Sequence, residues 1–312
     1  MKAMILAAGY GTRLRPLTRH RPKALVPVGN RPAIEHVIAY LKRFGIRDMV
    51  INAHHHAAQL VNHLNRGKPF GVRIQVKVEP EILGTGGGIG NTAGFWDDDP
   101  FLVINSDVLT NIDLEAALHF HTDHQALATL ILHDAPPYNQ IQVDDYLNVK
   151  DISERPQPGR LAFTGLHIIS PSLLSHIPIG ISSNIIDCYR ERIQAGEPIK
   201  GYITHGHHWL DMGTLESYVR ANREAPGSHP ALIGPGCRIH PGAVFEDWVV
   251  IGPNTTIEEA VEIKRSILWE NVHVRAGSRV LDSIVTASQD VRKDLVGEIQ
   301  GGRPLPRASS LM

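Results

Sequence analysis

The residues best suited to bind phosphate lie near the amino terminus, between Met4 and Val28. The apolar run Met4–Ala8 predicts a buried strand, and Gly9-Tyr10-Gly11 predicts a tight turn that presents backbone N–H groups to a ligand. Beyond the turn, Arg13 offers a planar fork of donors and Lys23 a mobile point charge. Together these residues predict a site that orients and neutralises a polyphosphate.

The glycine pair in this turn is ambiguous by itself, since such a pair also serves simple chain reversal. Two familiar phosphate-binding motifs fail on spacing. The dinucleotide fingerprint needs a third glycine where this chain has Leu14, and a Walker A loop needs Gly-Lys-Ser/Thr, which occurs nowhere in the sequence. The phosphate site therefore belongs to another class.

The full motif is longer than the glycine pair: it runs Gly9-x-Gly11-Thr12-Arg13-x-x-Pro16-Leu17-Thr18 and continues as Pro22-Lys23-Ala24-Leu25-x-Pro27-Val28. This motif resembles the signature of the sugar-1-phosphate nucleotidyltransferases, the group that contains glucose-1-phosphate thymidylyltransferase and mannose-1-phosphate guanylyltransferase. The resemblance implies that Arg13 and Lys23 are catalytic. It also implies that the nucleotide is bound by Ala8, Gly9, Gly11 and Thr12.

Two aspartates extend the resemblance. Asp107 follows the predicted strand Phe101–Asn105, and Asp211 lies in the segment Trp209–Thr214. Each aspartate alone would also suit a cap or a turn. In the family the matching aspartates bind Mg²⁺ between them and the nucleotide phosphates, which agrees with the preference of magnesium for carboxylates and substrate phosphates. Asp107 and Asp211 are therefore the expected metal ligands, with Mg²⁺ as the cofactor.

A second glycine-rich loop follows Glu79-Pro80. The resemblance implies that Glu79, Gly84, Thr85 and Gly86 contact the base and ribose, although the loop could also be a flexible connector. An ionised Glu79 only accepts hydrogen bonds, which suits the edge of guanine. Uridylyl-transferring relatives also have Glu-Pro at this point, so Glu79 alone does not select the base.

The sugar phosphate is expected at two short segments. Ser153-Glu154-Arg155-Pro156 resembles the family's Glu-Lys-Pro segment, and Thr164-Gly165 resembles its sugar-binding Thr/Ala-Gly. Arg155 stands where the family has a lysine, so the phosphate would contact a planar guanidinium with several donors in place of a single ammonium charge. A surface hairpin would also explain Glu154, Arg155, Thr164 and Gly165. The histidine clusters His54–His56 and His205–His208 contain no carboxylate or cysteine at ligand spacing and are interpreted as loop residues.

The elements that must position these residues alternate between strands and helices through the first 225 or so residues. A helix capped by Asn30 is expected after the first motif. Because ligands gather at the carboxyl ends of parallel strands, the Gly9 turn and Asp107 are expected to face one crevice. The predicted fold class is α/β, with a Rossmann-like doubly wound mixed sheet of the nucleotidyltransferase (GT-A-like) type.

The period of the apolar residues changes after the Pro- and Gly-containing linker 226–231. Apolar residues recur every six positions at Ile233, Ile239, Phe245, Ile251, Ile257, Ile263 and Trp269. The spacing to the next apolar residue, Val274, is one residue shorter, and the six-residue period then continues to Val280. This period predicts a short left-handed parallel β-helix. The expected domains are therefore 1–225 (catalytic), 232–295 (β-helix) and 296–312 (a loosely ordered tail).

The numbers of charged residues and cysteines indicate which partners and which cellular compartment to expect. Lys plus Arg number 31 against 32 Asp plus Glu, so there is no basic field to attract nucleic acid or a membrane surface. The two cysteines, Cys188 and Cys237, lie far apart, as expected for packed thiols in a reduced compartment. The apolar amino-terminal run is too short for a signal peptide. A cytoplasmic enzyme is expected, with a homo-oligomer formed through the β-helix.

The reaction implied is nucleoside triphosphate plus sugar 1-phosphate to nucleotide sugar plus pyrophosphate, with GTP and mannose 1-phosphate favoured. The alternatives are a uridylyl- or thymidylyltransferase acting on glucose-type or N-acetylated sugar phosphates, and a non-catalytic regulatory subunit that binds sugar nucleotides. A glycosyltransferase needs a D-x-D-like metal site, and Asn105-Ser106-Asp107 lacks the first carboxylate.

Overall fold

The computed structural model describes residues 1–301. The helices are α1 (Ala33–Arg43), α2 (Ala57–Leu64), α3 (Gly84–Gly90), α4 (Leu114–Asp123), α5 (Ile185–Gln194) and α6 (Leu215–Glu224). The strands that precede α6 are β1 (Ala3–Leu6), β2 (Pro27–Val28), β3 (Arg31–Pro32), β4 (Asp48–Ala53), β5 (Arg73–Val78), β6 (Phe101–Asn105), β7 (Val108–Thr110), β8 (Ala128–His133), β9 (Asn139–Val143), β10 (Val149–Ile152), β11 (Leu161–Ile169), β12 (Ile199–Ile203) and β13 (Trp209–Asp211). Within residues 1–301, no helix has both the length and the apolar character that crossing a bilayer requires.

The described residues pack as two units. The first contains residues 1–10 and 36–209, and the second contains residues 11–35 and 210–301. The first unit is built around a mixed sheet in the order β10-β9-β11-β6-β1-β4-β5, with β8 pairing β11 and β12. Strands β6, β1, β4 and β5 run parallel, whereas β11 runs antiparallel to β6. This confirms the predicted α/β fold with a mixed sheet.

The core of the first unit lies on the sheet. Met4, Val50, Phe101 and Val103 are fully buried with Tyr189 from α5. Burying a large apolar side chain contributes about 1.5–3 kcal/mol to the stability of the fold. These buried side chains therefore hold the strands of the sheet in fixed positions. The residues that end the strands are thereby fixed relative to one another.

Three features of the fold differ from the sequence prediction. The glycine-rich stretch that begins at Gly84 forms helix α3 and not a loop. Asn30 does not cap α1: it lies at positive φ between the paired strands β2 and β3. Helix α4 and strand β8 were not predicted, although the Asp113 carboxylate caps α4 by accepting from the N–H groups of Glu115 and Ala116.

In the second unit the chain continues as a parallel β-helix. Its strands are β14 (Ala231–Ile233), β15 (Arg238–Ile239), β16 (Val244–Ile251), β17 (Thr256–Ile257), β18 (Glu262–Leu268), β19 (His273–Val274), β20 (Arg279–Leu281), β21 (Ile284–Val285), β22 (Asp290–Val291), β23 (Leu295–Val296) and β24 (Ile299–Gln300). Strands one coil apart pair in parallel, as in Arg238 with Thr256. Strand β24 pairs with β21, so the parallel ladder continues to Gln300. The rest of the predicted tail lies outside the described residues.

The one-residue slip in the hexads lies earlier than the sequence suggests. Glu246 pairs with Lys264, but Val249 pairs with Ser266, so the register shifts by one residue between these pairs. As a result Leu268, and not Trp269, lies beside Ile251 in the next coil. Trp269 falls on the six-residue period of the sequence, but it lies outside the cluster of buried side chains that contains Leu268.

Candidate active site

The carboxyl ends of four neighbouring parallel strands carry four of the residues predicted in the first unit, together with Asn52, which was not predicted. In sheet order these ends lead to Asp107 (after β6), Ala8 and Gly9 (after β1), Asn52 (in β4) and Glu79 (after β5). Leu6 pairs with both Asn52 and Asn105, and the Ser106 N–H donates to the Leu6 carbonyl at 3.0 Å. Ala8 and Gly9, where the first motif leaves β1, therefore share one edge of the sheet with Asp107, and ligands of open α/β sheets bind at such an edge.

Glu79 is buried at this edge and is tied into the fold. It is 2% exposed, and its carboxylate accepts from Asn52 Nδ2 at 2.8 Å and from the Leu83 N–H at 3.0 Å. Asn52 Oδ1 accepts in turn from the Ala7 N–H at 2.8 Å. The sequence prediction missed Asn52, although a buried asparagine in an apolar strand is a signal. Glu79 thus connects the first motif to the chain that enters α3.

The glycines of α3 allow two backbones to come unusually close. A methyl group placed on Gly84 would meet the Ser183 carbonyl oxygen at 2.5 Å, and one on Gly87 would meet the Ile181 carbonyl oxygen at 2.3 Å. The Thr85 hydroxyl donates to Asn184 Oδ1 at 3.1 Å and accepts from the Ile185 N–H. Gly84 is exposed, whereas Gly86 is buried. The glycine pattern therefore has a packing cause in addition to any contact with a nucleotide.

Thr164 and Gly165 lie beside the end of β6. Gly165 has φ +80°, and a methyl group on it would come within 2.7 Å of Asn105 Nδ2. The Thr164 hydroxyl donates to the Ile131 carbonyl at 2.8 Å, and its carbonyl accepts from Trp209 Nε1 at 2.8 Å. Thr164 is fully buried, so its side chain supports the strand, and Gly165 brings this segment to Asn105.

The second predicted sugar-phosphate segment lies on the surface of the first unit. Glu154 and Arg155 are exposed. Gln140 Nε2 donates to the Glu154 carbonyl at 2.8 Å, and the Ser153 hydroxyl donates to the Arg155 carbonyl at 2.6 Å. The backbone of this segment is therefore held in place while both charged side chains extend to solvent.

In the second unit the first motif folds back on itself. Gly11 has φ +61°, and a methyl group on it would come within 2.9 Å of Thr18 Cγ2 and 3.2 Å of Lys23 Cβ. The Thr18 hydroxyl donates to the Gly11 carbonyl at 2.8 Å. Thr12 and Arg13 lie in the single 3₁₀ turn Thr12–Leu14 that follows. Glycine at position 11 is what lets Thr18 and Lys23 approach this turn.

Arg13 lies against the aspartate motif of the same unit. A methyl group on Gly213 would come within 2.9 Å of the Arg13 guanidinium. Gly213 is followed by Thr214, which caps α6 by accepting from the Ser217 N–H at 3.2 Å. Asp211 lies two residues before Gly213 and is half-buried. The structure therefore brings the arginine of the first motif to Gly213, two residues beyond Asp211.

Several histidines are held neutral by burial. His133 is buried, its Nδ1 lies 3.2 Å from His207 Nε2, and burial lowers its pKa to about 4. Burial likewise lowers the pKa of His121 to about 4 and that of His167 to about 3. The two ring nitrogens of His121 form hydrogen bonds with the hydroxyls of Thr129 and Ser170, so His121 has a structural role in the first unit.

The residues present fit a hard divalent cation. The two predicted ligands, Asp107 in the first unit and Asp211 in the second, each carry the carboxylate oxygens that magnesium prefers, and Mg²⁺ is usually held by one or two carboxylates plus substrate phosphates. Within residues 1–301, no three or more His, Cys, Asp or Glu side chains gather closely enough to hold a metal by themselves.

Comparison with known proteins agrees with this geometry. The model of the nucleotidyl transferase family matches residues 2–227, and the chain belongs to this family. The model described as the GMPPB C-terminal domain matches residues 228–298. The protein is a sugar-1-phosphate nucleotidyltransferase, an enzyme class that generally depends on a metal ion.

Relatives with different nucleotide substrates resemble the chain to a similar degree. A mannose-1-phosphate guanyltransferase of Candida albicans is 33% identical over 91% of this chain and 86% of its own length. A UTP–glucose-1-phosphate uridylyltransferase of Synechocystis is 27% identical over 91% of this chain and 87% of its own length. The crystal structure of a provisionally assigned glucose-1-phosphate thymidylyltransferase from Bacillus anthracis has a TM-score of 0.65 and 25% identity. The structural match covers 73% of this chain and 96% of the Bacillus anthracis chain.

Proposed function

We propose that the protein joins a nucleoside triphosphate to a sugar 1-phosphate by direct in-line attack of the sugar phosphate on the α-phosphorus, with release of pyrophosphate. The observation that carries this proposal is the placement of Ala8, Gly9 and Asp107 at one edge of the sheet, with Arg13 held against Gly213. No enzyme nucleophile is needed, because the sugar phosphate is itself anionic at neutral pH. Catalysis then consists of positioning two anions and stabilising the charge that develops.

The residues have distinct roles in this proposal. The backbone at Ala8, Gly9, Gly11 and Thr12 binds the nucleotide phosphates, and the Arg13 guanidinium neutralises the departing pyrophosphate. Lys23 holds phosphate oxygens near the reacting centre. Asp107 and Asp211 hold Mg²⁺, which supplies further positive charge to the phosphates.

The other predicted residues serve recognition in this proposal. Arg155 and Glu154 contact the phosphate and the hydroxyls of the sugar, and the backbone at Gly165 lies beside the sugar. Gly84, Thr85 and Gly86 contact the base and ribose. Glu79 acts through Asn52 and Leu83, since its carboxylate already accepts from both.

The substrate pair we propose is GTP with mannose 1-phosphate. Its support is the match of residues 228–298 to the GMPPB C-terminal domain together with the 33% identical mannose-1-phosphate guanyltransferase. A matrix of GTP, UTP and dTTP against mannose, glucose and N-acetylglucosamine 1-phosphates, read by pyrophosphate release, tests this pair. Highest kcat/KM for GTP with mannose 1-phosphate is expected. Preference for UTP or dTTP with a glucose-type sugar would support the alternative, and no release from any pair would favour a regulatory subunit.

The β-helix is proposed to form a homo-oligomer. It leaves the side chains of Ile233, Val244 and Val296 exposed, and exposed apolar side chains are commonly buried at subunit interfaces. Light scattering of the full chain and of Val244→Glu tests this. A multimer that the substitution dissociates is expected, and a monomeric wild-type protein would contradict the proposal.

A further inference from the structure

The β-helix contacts the first motif through an arginine that lies two residues before Lys23. Arg21 makes a two-pronged ion pair with Glu270: Nη1 donates to Oε2 at 3.3 Å, and Nη2 donates to Oε1. Burial raises the pKa of Glu270, but the hydrogen bonds from Arg21, a backbone hydrogen bond and the positive charge of Arg21 together outweigh burial and leave this pKa below its usual range. Two-pronged arginine–carboxylate pairs fix geometry as well as charge.

A tryptophan beside Glu270 supports the same arginine. The Arg21 guanidinium carbon lies 4.7 Å from the centre of the Trp269 ring, and Trp269 Nε1 donates to the Tyr218 hydroxyl of α6 at 2.9 Å. Trp269 is 4% exposed and Tyr218 is fully buried. The platform under Arg21 is therefore anchored in the core of the second unit.

The register shift of the β-helix is what makes this contact available. Because the shift occurs before Ser266, Leu268 fills the interior column beside Ile251. The Trp269 side chain therefore lies outside the interior column and contacts Tyr218 and Arg21. An uninterrupted hexad would have directed the residue at position 269 into the coil.

A second set of contacts fixes the far end of the same segment. The Gly29 N–H donates to Asn222 Oδ1 at 3.0 Å, and Asn30 Nδ2 donates to the Ile251 carbonyl at 2.8 Å. Lys23 lies between these contacts and Arg21, in the 3₁₀ turn Lys23–Leu25. Pro22 restricts the backbone between Arg21 and Lys23, so a movement of Arg21 is transmitted to Lys23.

We propose that Arg21, Glu270 and Trp269 form a positioning site, through which the β-helix sets the placement of Lys23 for nucleotidyl transfer. This rests on the proposed role of Lys23. The β-helix then takes part in the chemical step of its own subunit, in addition to any role in assembly. Arg21 and Glu270 act through Lys23 and make no contact with the substrate.

The test compares Glu270→Gln and Arg21→Gln, singly and together, in the full chain. A misplacement of about 1 Å at a reacting group costs about 10²-fold, so we expect a 10- to 100-fold loss of kcat with a smaller change in KM. Because the two residues act as a unit, the double variant is expected to lose no more than the worse single variant. The matched control is Asp282→Asn, which weakens the bidentate pair that Asp282, in the next coil, makes with Arg265. Its kcat is expected to stay at the wild-type value.

Hydrogen–deuterium exchange of residues 21–28 gives a readout that does not depend on activity. Faster exchange there in Glu270→Gln, but not in Asp282→Asn, is expected. Wild-type kcat in the Glu270 and Arg21 variants, or unchanged exchange, would overturn the positioning site. A wild-type enzyme that releases no pyrophosphate would instead refute the proposed function, and the exchange measurement would still decide whether Glu270 orders the segment.

Discussion

The guanidinium of Arg13 lies so close to Gly213 that a methyl group at position 213 would come within 2.9 Å of it. This contact joins the arginine of the amino-terminal motif to the segment that contains Asp211, almost two hundred residues later in the chain. Position 213 therefore needs a glycine because any larger side chain would occupy the space of the Arg13 guanidinium.

Gly213→Ala is expected to displace the Arg13 guanidinium and lower kcat by about 10- to 100-fold, because misplacing a charge stabiliser by about 1 Å is costly. The measurement is steady-state pyrophosphate release. Gly94→Ala is the control, since a methyl group there meets nothing within 4 Å. Equal kcat in both variants would show that the position of Arg13 does not matter.

Glu79→Gln is expected to raise KM for the nucleotide and to lower the free energy of unfolding by about 1–3 kcal/mol. The glutamine side chain accepts at only one oxygen, whereas Asn52 and the Leu83 N–H both donate to Glu79. One buried donor is therefore left unpaired. Urea unfolding and nucleotide titrations measure the two effects, with Glu81→Gln as an exposed control. An unchanged free energy of unfolding would contradict the buried role.

Asp107 and Asp211, which we propose to hold one metal ion, are expected to act as a unit. Asp107→Asn and Asp211→Asn should each lower kcat at fixed Mg²⁺ by about 10²–10³-fold, and the double variant should be little worse than either. Asp98→Asn, at an exposed position, should behave as wild type. Losses that multiply in the double variant would mean that the two carboxylates do not serve the same ion.

Stability is expected to fall as the pH drops below about 6.5. His121, His133 and His167 have folded-state pKa values lowered by burial to about 4, 4 and 3, so the unfolded chain binds more protons in this range. Each such histidine lowers the free energy of unfolding by about 1.4 kcal/mol per pH unit between its unfolded and folded pKa values. His121→Gln should remove its share, about 2 kcal/mol between pH 6.5 and 5, in urea unfolding. The same pH dependence in the variant would show that His121 is not the source.

The sequence predicted the parts of the fold that have a clear period. The predicted strand Phe101–Asn105 is an unbroken apolar run before Asn105, and its bounds agree with the structure. Helix α3 was missed because glycine is a poor helix former; here it is required by the close approach of residues 181 and 183. A local pattern cannot reveal a requirement that comes from a distant part of the chain.

The candidate site shows the same limit. The first motif was predicted from residue type and spacing, and the two aspartates were predicted from the family resemblance. Asn52, Arg21 and Trp269 were not, because their roles depend on partners at Glu79, Glu270 and Tyr218 that only the folded chain supplies.

The most direct test of the central claim is the kcat of pyrophosphate release by Arg13→Ala, with the substrate pair that the matrix selects. Removing a preorganised charge stabiliser lowers kcat by about 10²–10³-fold, and a loss of this size is predicted, while Arg223→Ala at an exposed position of α6 keeps wild-type turnover. Near-normal turnover by Arg13→Ala would contradict the account, because the amino-terminal motif would then not stabilise the departing pyrophosphate.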